Sequence, residues 1–407
     1  MRERPIALAA LVVAAGCGSS DPMMTAPPGD AALSPADLSA PPDLAEPARP
    51  KWPTVPMGDG VELKPLELVT VVAENDALGP DLIAFGEQLV KSSWWMTVAA
   101  PYGLGPEKGA AHVTGPAITK SMNNEQMVSY IRALVDAKQA PAPDGGTVYV
   151  LYLPDGIVAI DPSGPNTDCD LFEGYHSSFG DKGDNYAIVQ RCYHDGPMGL
   201  DDVTSTASHE VIESATDPDG SGWALPVPSA MPWLDDVWRS FIAPDIGAEV
   251  ADLCPGTQIR EGKYAYERVW SNAAAATGGD PCIPVIADPY FNVVGPAGWQ
   301  KVAAGGQVAV PLVAWSTAPM GDWTLDRDVN TASDPPGALR AGLDAARSAT
   351  VDGMSYPVVN DREVATLTIT APPGTPSGTW ATFSIYSTAL APMSDRYHAW
   401  IVGAYVP

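Results

Sequence analysis

Positive charge is in short supply. Of 407 residues, 22 are Lys or Arg and 49 are Asp or Glu, for a formal net charge of −27 at pH 7. A surface this acidic repels phosphate backbones, so no nucleic acid is expected among the partners. Histidine is scarcer, with five in the chain, so any site built on imidazole has few candidates. Cysteine also numbers five and Phe only six. The apolar run near the N-terminus, Ile6–Ala15, is too short to cross a bilayer as a helix. What the chain does have is 12 Trp and 14 Tyr, large side chains for filling cores, and a length that suits two domains.

The first residues, MRERPIALAALVVAAGC, carry Arg2 and Arg4, then that apolar run, then Gly16 and Cys17. This is the layout of a secretory signal peptide over 1–17. The ending A-A-G-C resembles a bacterial lipobox, which implies cleavage before Cys17, its lipidation, and a membrane partner reached through the lipid anchor. Gly18 rather than Asp follows, the pattern that goes with outer-membrane sorting, so the expected location is the bacterial cell envelope: an outer-membrane lipoprotein or the cell surface. A plain signal peptide with a chance cysteine is the alternative. With Cys17 lipidated, Cys169, Cys192, Cys254 and Cys282 remain, an even set that an oxidising compartment would pair into two disulfides. Neighbour pairing, Cys169–Cys192 and Cys254–Cys282, is the simplest of three connectivities.

Residues 18–58 are rich in Pro, Ala and acidic side chains, with no periodic apolar face, and read as a disordered tether. Residues 59–284 read as α+β. Strands are expected at LELVTVVAE (66–74), GGTVYVLYLP (145–154), YAIVQRC (186–192) and YAYERVWSN (264–272). Helices are expected at 81–99 and at 123–139, the latter with Asn123 or Asn124 as cap. From 285 to 407, short alternating segments such as GQVAVPLVAWS and YHAWIVGAYV lie between Gly/Pro turns, the signature of an immunoglobulin-like β-sandwich.

The chemistry concentrates in TASHEVIESATDPDGSGW, from Thr206, which contains H-E-V-I-E. Residues four apart share a helix face, so His209 and Glu213 can point at one cation. In a zinc hydrolase written H-E-x-x-H, the intervening glutamate is the general base, here Glu210, and the metal lowers the pKa of the attacking water to about 7. A carboxylate in place of the second imidazole is an acceptable zinc ligand but a weaker support for Lewis acidity. Thr204, Ser205 or Ser208 can cap the helix and Pro218 stops it. The competing reading is a charged, solvated helix face. Asp217, Asp219 and Ser221 also have the one-three-five oxygen spacing of a Ca2+ loop, although Pro228 stands where a closing Glu belongs, and an Asp/Gly turn explains them equally.

H-E-x-x-E-x-x-T-D-P, then Gly-Trp, then E-V-A-D-L-C (Glu249–Cys254), resembles the EXORDIUM-like (phosphate-induced) family of extracellular plant proteins and their bacterial relatives. SSWWMTVAAPYG, GGTVYVLYLP and FEGYHSSF resemble further segments of that family in the same order. The likeness runs from about Leu66 to Cys282. Glu173 stands where the family has a Cys, and the β-region after Cys282 lies outside the plant pattern. The resemblance implies a zincin-like fold for 59–284, so the expected architecture is an α+β zincin-like domain followed by an all-β immunoglobulin-like sandwich. Glu249 is a candidate third metal ligand or a satisfied carboxylate beside a disulfide. His176 in GYH is a candidate ligand or a core histidine. The first functional expectation is a lipid-anchored Zn2+ site, with peptidase chemistry on an extracellular polypeptide. The second is a non-catalytic surface or ligand-binding protein that keeps a structural metal or none.

Overall fold

The computed structural model describes residues 50–160, 173–179, 184–192, 199–226, 231–235, 237–240, 248–318, 323–335, 337–343, 363–389 and 397–407. Cys17 with its signal peptide, Cys169, and the tether up to residue 49 lie outside the described residues. Residues 50–58, the end of the segment whose composition reads as tether, belong to the fold. Val55 is fully buried, and its backbone exchanges two hydrogen bonds with the Asn272 side chain. Gly58 and Gly60 donate to the carbonyls of Gly222 and Ser221, and Leu63 donates to Ala215.

A five-stranded sheet forms the centre of the first half. Its strands are β1 (Glu67–Ala73), β2 (Gly109–Gly115), β3 (Thr147–Tyr152), β4 (Gly174–Phe179) and β5 (Asp184–Val189), in the order β2-β1-β3-β5-β4. All neighbours run parallel except β4, which pairs antiparallel with β5 at one edge. Both faces are covered. Leu68, Val72, Val148, Val150, Ala187 and Val189 face one core, and Val69, Val71, Tyr149, Leu151, Tyr186 and Ile188 face the other. Two-sided burial explains why β1 and β3 read as near-continuous apolar runs, with the buried Thr70 the one polar residue inside β1.

The helix expected over 81–99 divides into α1 (Gly79–Leu89) and α2 (Ser93–Ala99). Ser92 accepts from the Trp95 N–H at 3.0 Å, a serine cap that starts a new helix. Glu261, far along the chain, takes the Ser93 and Trp94 N–H groups at 3.1 and 3.2 Å. Helix α3 (Asn124–Asp136) begins with a reciprocal capping box between Asn123 and Gln126. Helix α4 (Leu200–Thr216) packs against β3, β4 and β5. Small pieces then follow: β6 (Ala224–Leu225) pairs β7 (Ala248–Glu249), β8 (Gln258–Glu261) pairs β9 (Tyr264–Glu267), and β10 (Val269–Trp270) pairs β11 (Cys282–Ile283) around the short helix α5 (Asn272–Ala276). Cys254 and Cys282 form a disulfide, and Cys192 is buried and disulfide-bonded.

The second half is a β-sandwich. One sheet holds β12 (Phe291–Val294), β14 (Gln307–Ser316), β17 (Glu363–Thr370) and β16 (Arg340–Leu343). The other holds β13 (Gln300–Lys301), β19 (Tyr397–Tyr405), β18 (Trp380–Ala389) and β15 (Trp323–Asp334). Alternate residues point between the sheets, as Val310, Leu312 and Ala314 do in β14. The two halves share a continuous apolar core. Trp52 lies at the junction, with ring centroids 6.0 Å from Trp270, 5.7 Å from Tyr290 and 5.5 Å from Trp400.

Candidate metal centre

Helix α4 begins a turn earlier than its hydroxyl residues suggest. Gly199 precedes it, Asp202 accepts the Gly199 N–H at 3.0 Å, and Asp201 and Asp202 place negative charge at the positive end of the helix dipole. The helix ends at Asp217, before Pro218. Every residue from Val203 to Thr216 is buried, so the charged face is not solvated. Two of the three hydroxyls expected as caps have another use, and the third, on Ser205, is buried without a hydrogen-bond partner. Thr204 and Ser208 accept the backbone N–H groups of Ala265 and Glu267 at 3.2 and 2.8 Å. The edge of β9 that does not face β8 is thus hydrogen-bonded to the helix, which sets Glu267 beside His209.

Strand β4 crosses the same helix at its other side. A Cβ at Gly174 would stand 2.6 Å from the Glu210 Oε1 and 2.8 Å from the Thr206 methyl, so only glycine allows this approach. Two residues on, His176 reaches into the cluster. Its Nδ1 lies 3.4 Å from the Glu210 Oε2 and 3.9 Å from the Glu213 Oε2, and its Nε2 lies 3.6 Å from Glu249. That Nε2 also lies 3.1 Å from the Asp217 carbonyl, to which its N–H donates.

His209 is held from both nitrogens. Nε2 lies 3.0 Å from the Glu213 Oε2 and 3.5 Å from Asp252, and Nδ1 lies 3.3 Å from Glu267. A carboxylate on one ring nitrogen fixes the orientation of the ring and leaves the other for a ligand. Glu213 is anchored through Oε1, which accepts the Ala251 and Asp252 N–H groups at 3.1 and 3.2 Å. Asp252 in turn accepts the Glu249 N–H at 3.0 Å.

Burial works against every charge here, and the neighbours decide the outcome. His176 loses from desolvation, but the hydrogen bond and charge of Glu210, with Glu213, push it up to about 9. His209 is likewise raised well above the usual histidine value, by Glu213 and Glu267. Burial raises Glu213 too, yet the two imidazoles overcome it and hold the carboxyl down at about 2. The other carboxyls go the opposite way. Burial raises Glu267 to about 7, and burial with the charges of Glu213 and Asp217 raises Glu249 well above the carboxylate range. Glu210 and Asp252 are raised, first by burial.

The structure therefore brings together all five residues that the sequence singled out: His176, His209, Glu210, Glu213 and Glu249. Two further members escape the motif, Asp252 and Glu267. Asp252 lies inside E-V-A-D-L-C, where a helix-spacing argument has no reach. Glu267 sits in a strand whose alternation carries no chemical signal. Two triads have the ligand atoms of each within 4.8 Å of one another, His209–Glu213–Asp252 and His176–Glu213–Glu249. Imidazole with carboxylate is a donor set that suits zinc and manganese. The Asp217 Oδ2 is buried without a hydrogen-bond partner, an orphan acceptor next to the second triad. In the loop proposed for Ca2+, the other Asp217 oxygen accepts the Gly222 N–H at 2.6 Å, and Ser221 donates to Asp219. Those oxygens are engaged in a turn. His112 lies apart and exposed, against Glu87.

No family model matches the chain, and no curated protein does. Solved structures match in part. The S-layer protein SbsC, domains 4 and 5, aligns at 15% identity and a TM-score of 0.19, over 31% of this chain and 50% of that one. The SrpA adhesin of Streptococcus sanguinis aligns at 8% identity and a TM-score of 0.20, over 30% of this chain and 60% of that one. A family 123 glycoside hydrolase from Clostridium perfringens aligns at 14% identity and a TM-score of 0.17, over 26% of this chain and 22% of that one. The chain spans about half the length of the S-layer chain it matches. Likeness this slight carries no functional argument. Among the described residues, no helix is long and apolar enough to cross a membrane.

Proposed function

We propose that the protein is a lipid-anchored, extracytoplasmic zinc protein whose zincin-like domain precedes an immunoglobulin-like sandwich, and whose site is built for hydrolysis of an extracellular polypeptide. The observation that carries this reading is the burial of His209 and Glu213 on one helix with carboxylates from two separate segments closing on them. Zinc, when bound, supplies Lewis acidity to a substrate carbonyl. His209 and Glu213 are the helix ligands, Asp252 the third, and Glu267 orients His209. Glu210 takes a proton onto its carboxylate from the attacking water, and His176 beside it stabilises the ionised form. Cys17 supplies the membrane anchor and the outer face of the envelope is the setting.

The test uses purified mature protein. His209→Ala should lose zinc, measured by elemental analysis. Glu210→Gln should keep zinc while chelator-sensitive cleavage of an unfolded protein substrate falls by about 10²–10⁴, as for loss of a general base. Native protein without stoichiometric zinc overturns the reading. A second reading has its own observation: Glu210 is buried and already paired with His176, as suits a structural rather than a reactive carboxylate. Zinc retained with no cleavage of any unfolded substrate would establish that alternative, a non-catalytic surface protein with a structural metal.

A further inference from the structure

The two triads share one residue. Glu213 belongs to both, while His209 and Asp252 stand on one side of it and His176 and Glu249 on the other. The shared atom is Oε2, which faces the His209 Nε2 at 3.0 Å and the His176 Nδ1 at 3.9 Å. Its sister Oε1 is committed to two backbone N–H groups, so the carboxylate cannot rotate away from this position without losing both. From this geometry we propose that the site holds two divalent cations bridged by the Glu213 carboxylate, the second held by His176 and Glu249. This rests on the metal reading above but goes beyond it.

Three observations support the second position. The Asp217 carbonyl accepts the His176 Nε2–H at 3.1 Å, which leaves Nδ1, 3.4 Å from the Glu210 Oε2 and 3.9 Å from the Glu213 Oε2, as the nitrogen whose lone pair can take a cation in place of its contact with Glu210. The Asp217 carboxylate is 1% exposed and keeps one oxygen unpartnered, while its charge acts on Glu249. Finally, charge must balance. Glu210, Glu213, Glu249, Asp252 and Glu267 are five carboxylates packed around two imidazoles. With neutral rings and ionised carboxylates, the buried Asp217 included, one divalent cation leaves four negative charges buried and a second leaves two. Uncompensated buried charge is among the costliest features a fold can carry. Carboxylate-bridged pairs of cations, at about 3.5–4 Å, are a recurrent solution to this chemistry. One imidazole with oxygen donors suits zinc or manganese at the second position.

The experiment is metal stoichiometry on the full mature chain, stripped with chelator and reloaded with Zn2+ alone, then with Mn2+ alone. Two zinc ions per chain are expected in the unmodified protein, and a spin-coupled pair in the electron paramagnetic resonance of the manganese form. Glu249→Gln and, separately, His176→Gln should each reduce the count to one, leaving the ion at His209 in place. One zinc per chain, lost with His209→Ala and unaffected by Glu249→Gln, overturns the bridged pair while leaving the zinc reading intact. No zinc at all overturns both. The count in the unmodified protein decides the matter even where a variant fails to fold.

Discussion

Gly174 shows how one side chain's absence sets up the site. Its missing Cβ lets β4 lie against α4 at the level of Glu210, and the two-residue period of the strand then delivers His176 to the cluster. Gly174→Ala must push strand and helix apart against the Glu210 carboxylate and the Thr206 methyl. Overpacking of this kind costs about 1–3 kcal/mol. The expected result is a lower thermal midpoint together with loss of metal from the His176 side, read by elemental analysis. An unchanged metal count would mean that His176 reaches its position independently of this contact. Arg268 is the opposite case, a fully buried cation paired with Asp280 and donating to the carbonyls of Pro284 and Cys282. It fastens the segment that carries the Cys254–Cys282 bridge. Breaking that bridge, with its sequence separation of 28, should cost about 3–4 kcal/mol on chain-entropy grounds, measurable as the denaturation difference between the native protein and Cys254→Ala/Cys282→Ala.

Helix α4 carries more of the site than its motif shows. Its Ser and Thr residues are poor helix formers on propensity, and a sequence reading places them at a cap. The positions of Thr204 and Ser208 are explained by β9, whose backbone N–H groups they satisfy. Thr204→Val and Ser208→Ala each leave a buried N–H without a partner, at about 1–3 kcal/mol. Each should also let Glu267 drift from His209, so zinc affinity should fall about 10–100-fold, the usual cost of losing a partner that orients a ligand. A calorimetric titration with Zn2+ separates the two effects from a simple loss of stability. The same logic marks what was legible from sequence. Helix period gave the His209–Glu213 face, and β-branched runs gave β1 and β3, because those signals are local. The break at Ser92 was hidden because the apolar spacing continues through it. Asp252 and Glu267 were hidden because they meet His209 only through tertiary packing across 43 and 58 residues of chain, beyond the reach of any period.

At the scale of the whole molecule, acidity becomes a thermodynamic property of the fold. The surplus of 49 acidic over 22 basic residues is not only a surface matter, since five carboxylates are gathered around His176 and His209. Without metal, protons must do the neutralising. Glu267 rises from the ordinary 4.5 to about 7 in the fold, so its protonated form stabilises the folded state at low pH, and that contribution is lost as pH climbs from 4.5 through 7. His176 rises from 6.5 to about 9, so its contribution is complete below 6.5 and lost as pH climbs through 9. Glu213 is depressed to about 2, so its stabilisation is present above 4.5 and is lost only as pH falls toward 2. Together these place the best stability of the metal-free protein near pH 4.5, with a decline from there to pH 9. Metal replaces protons and is bound more tightly as they leave. The expected outcome is therefore a pair of diverging curves. Between pH 5 and 9 the thermal midpoint of the chelator-stripped protein should fall, while the increment added by Zn2+ should grow. Parallel curves would show that the cluster exchanges no protons for metal, and that its carboxylates are balanced by some other means than a cation.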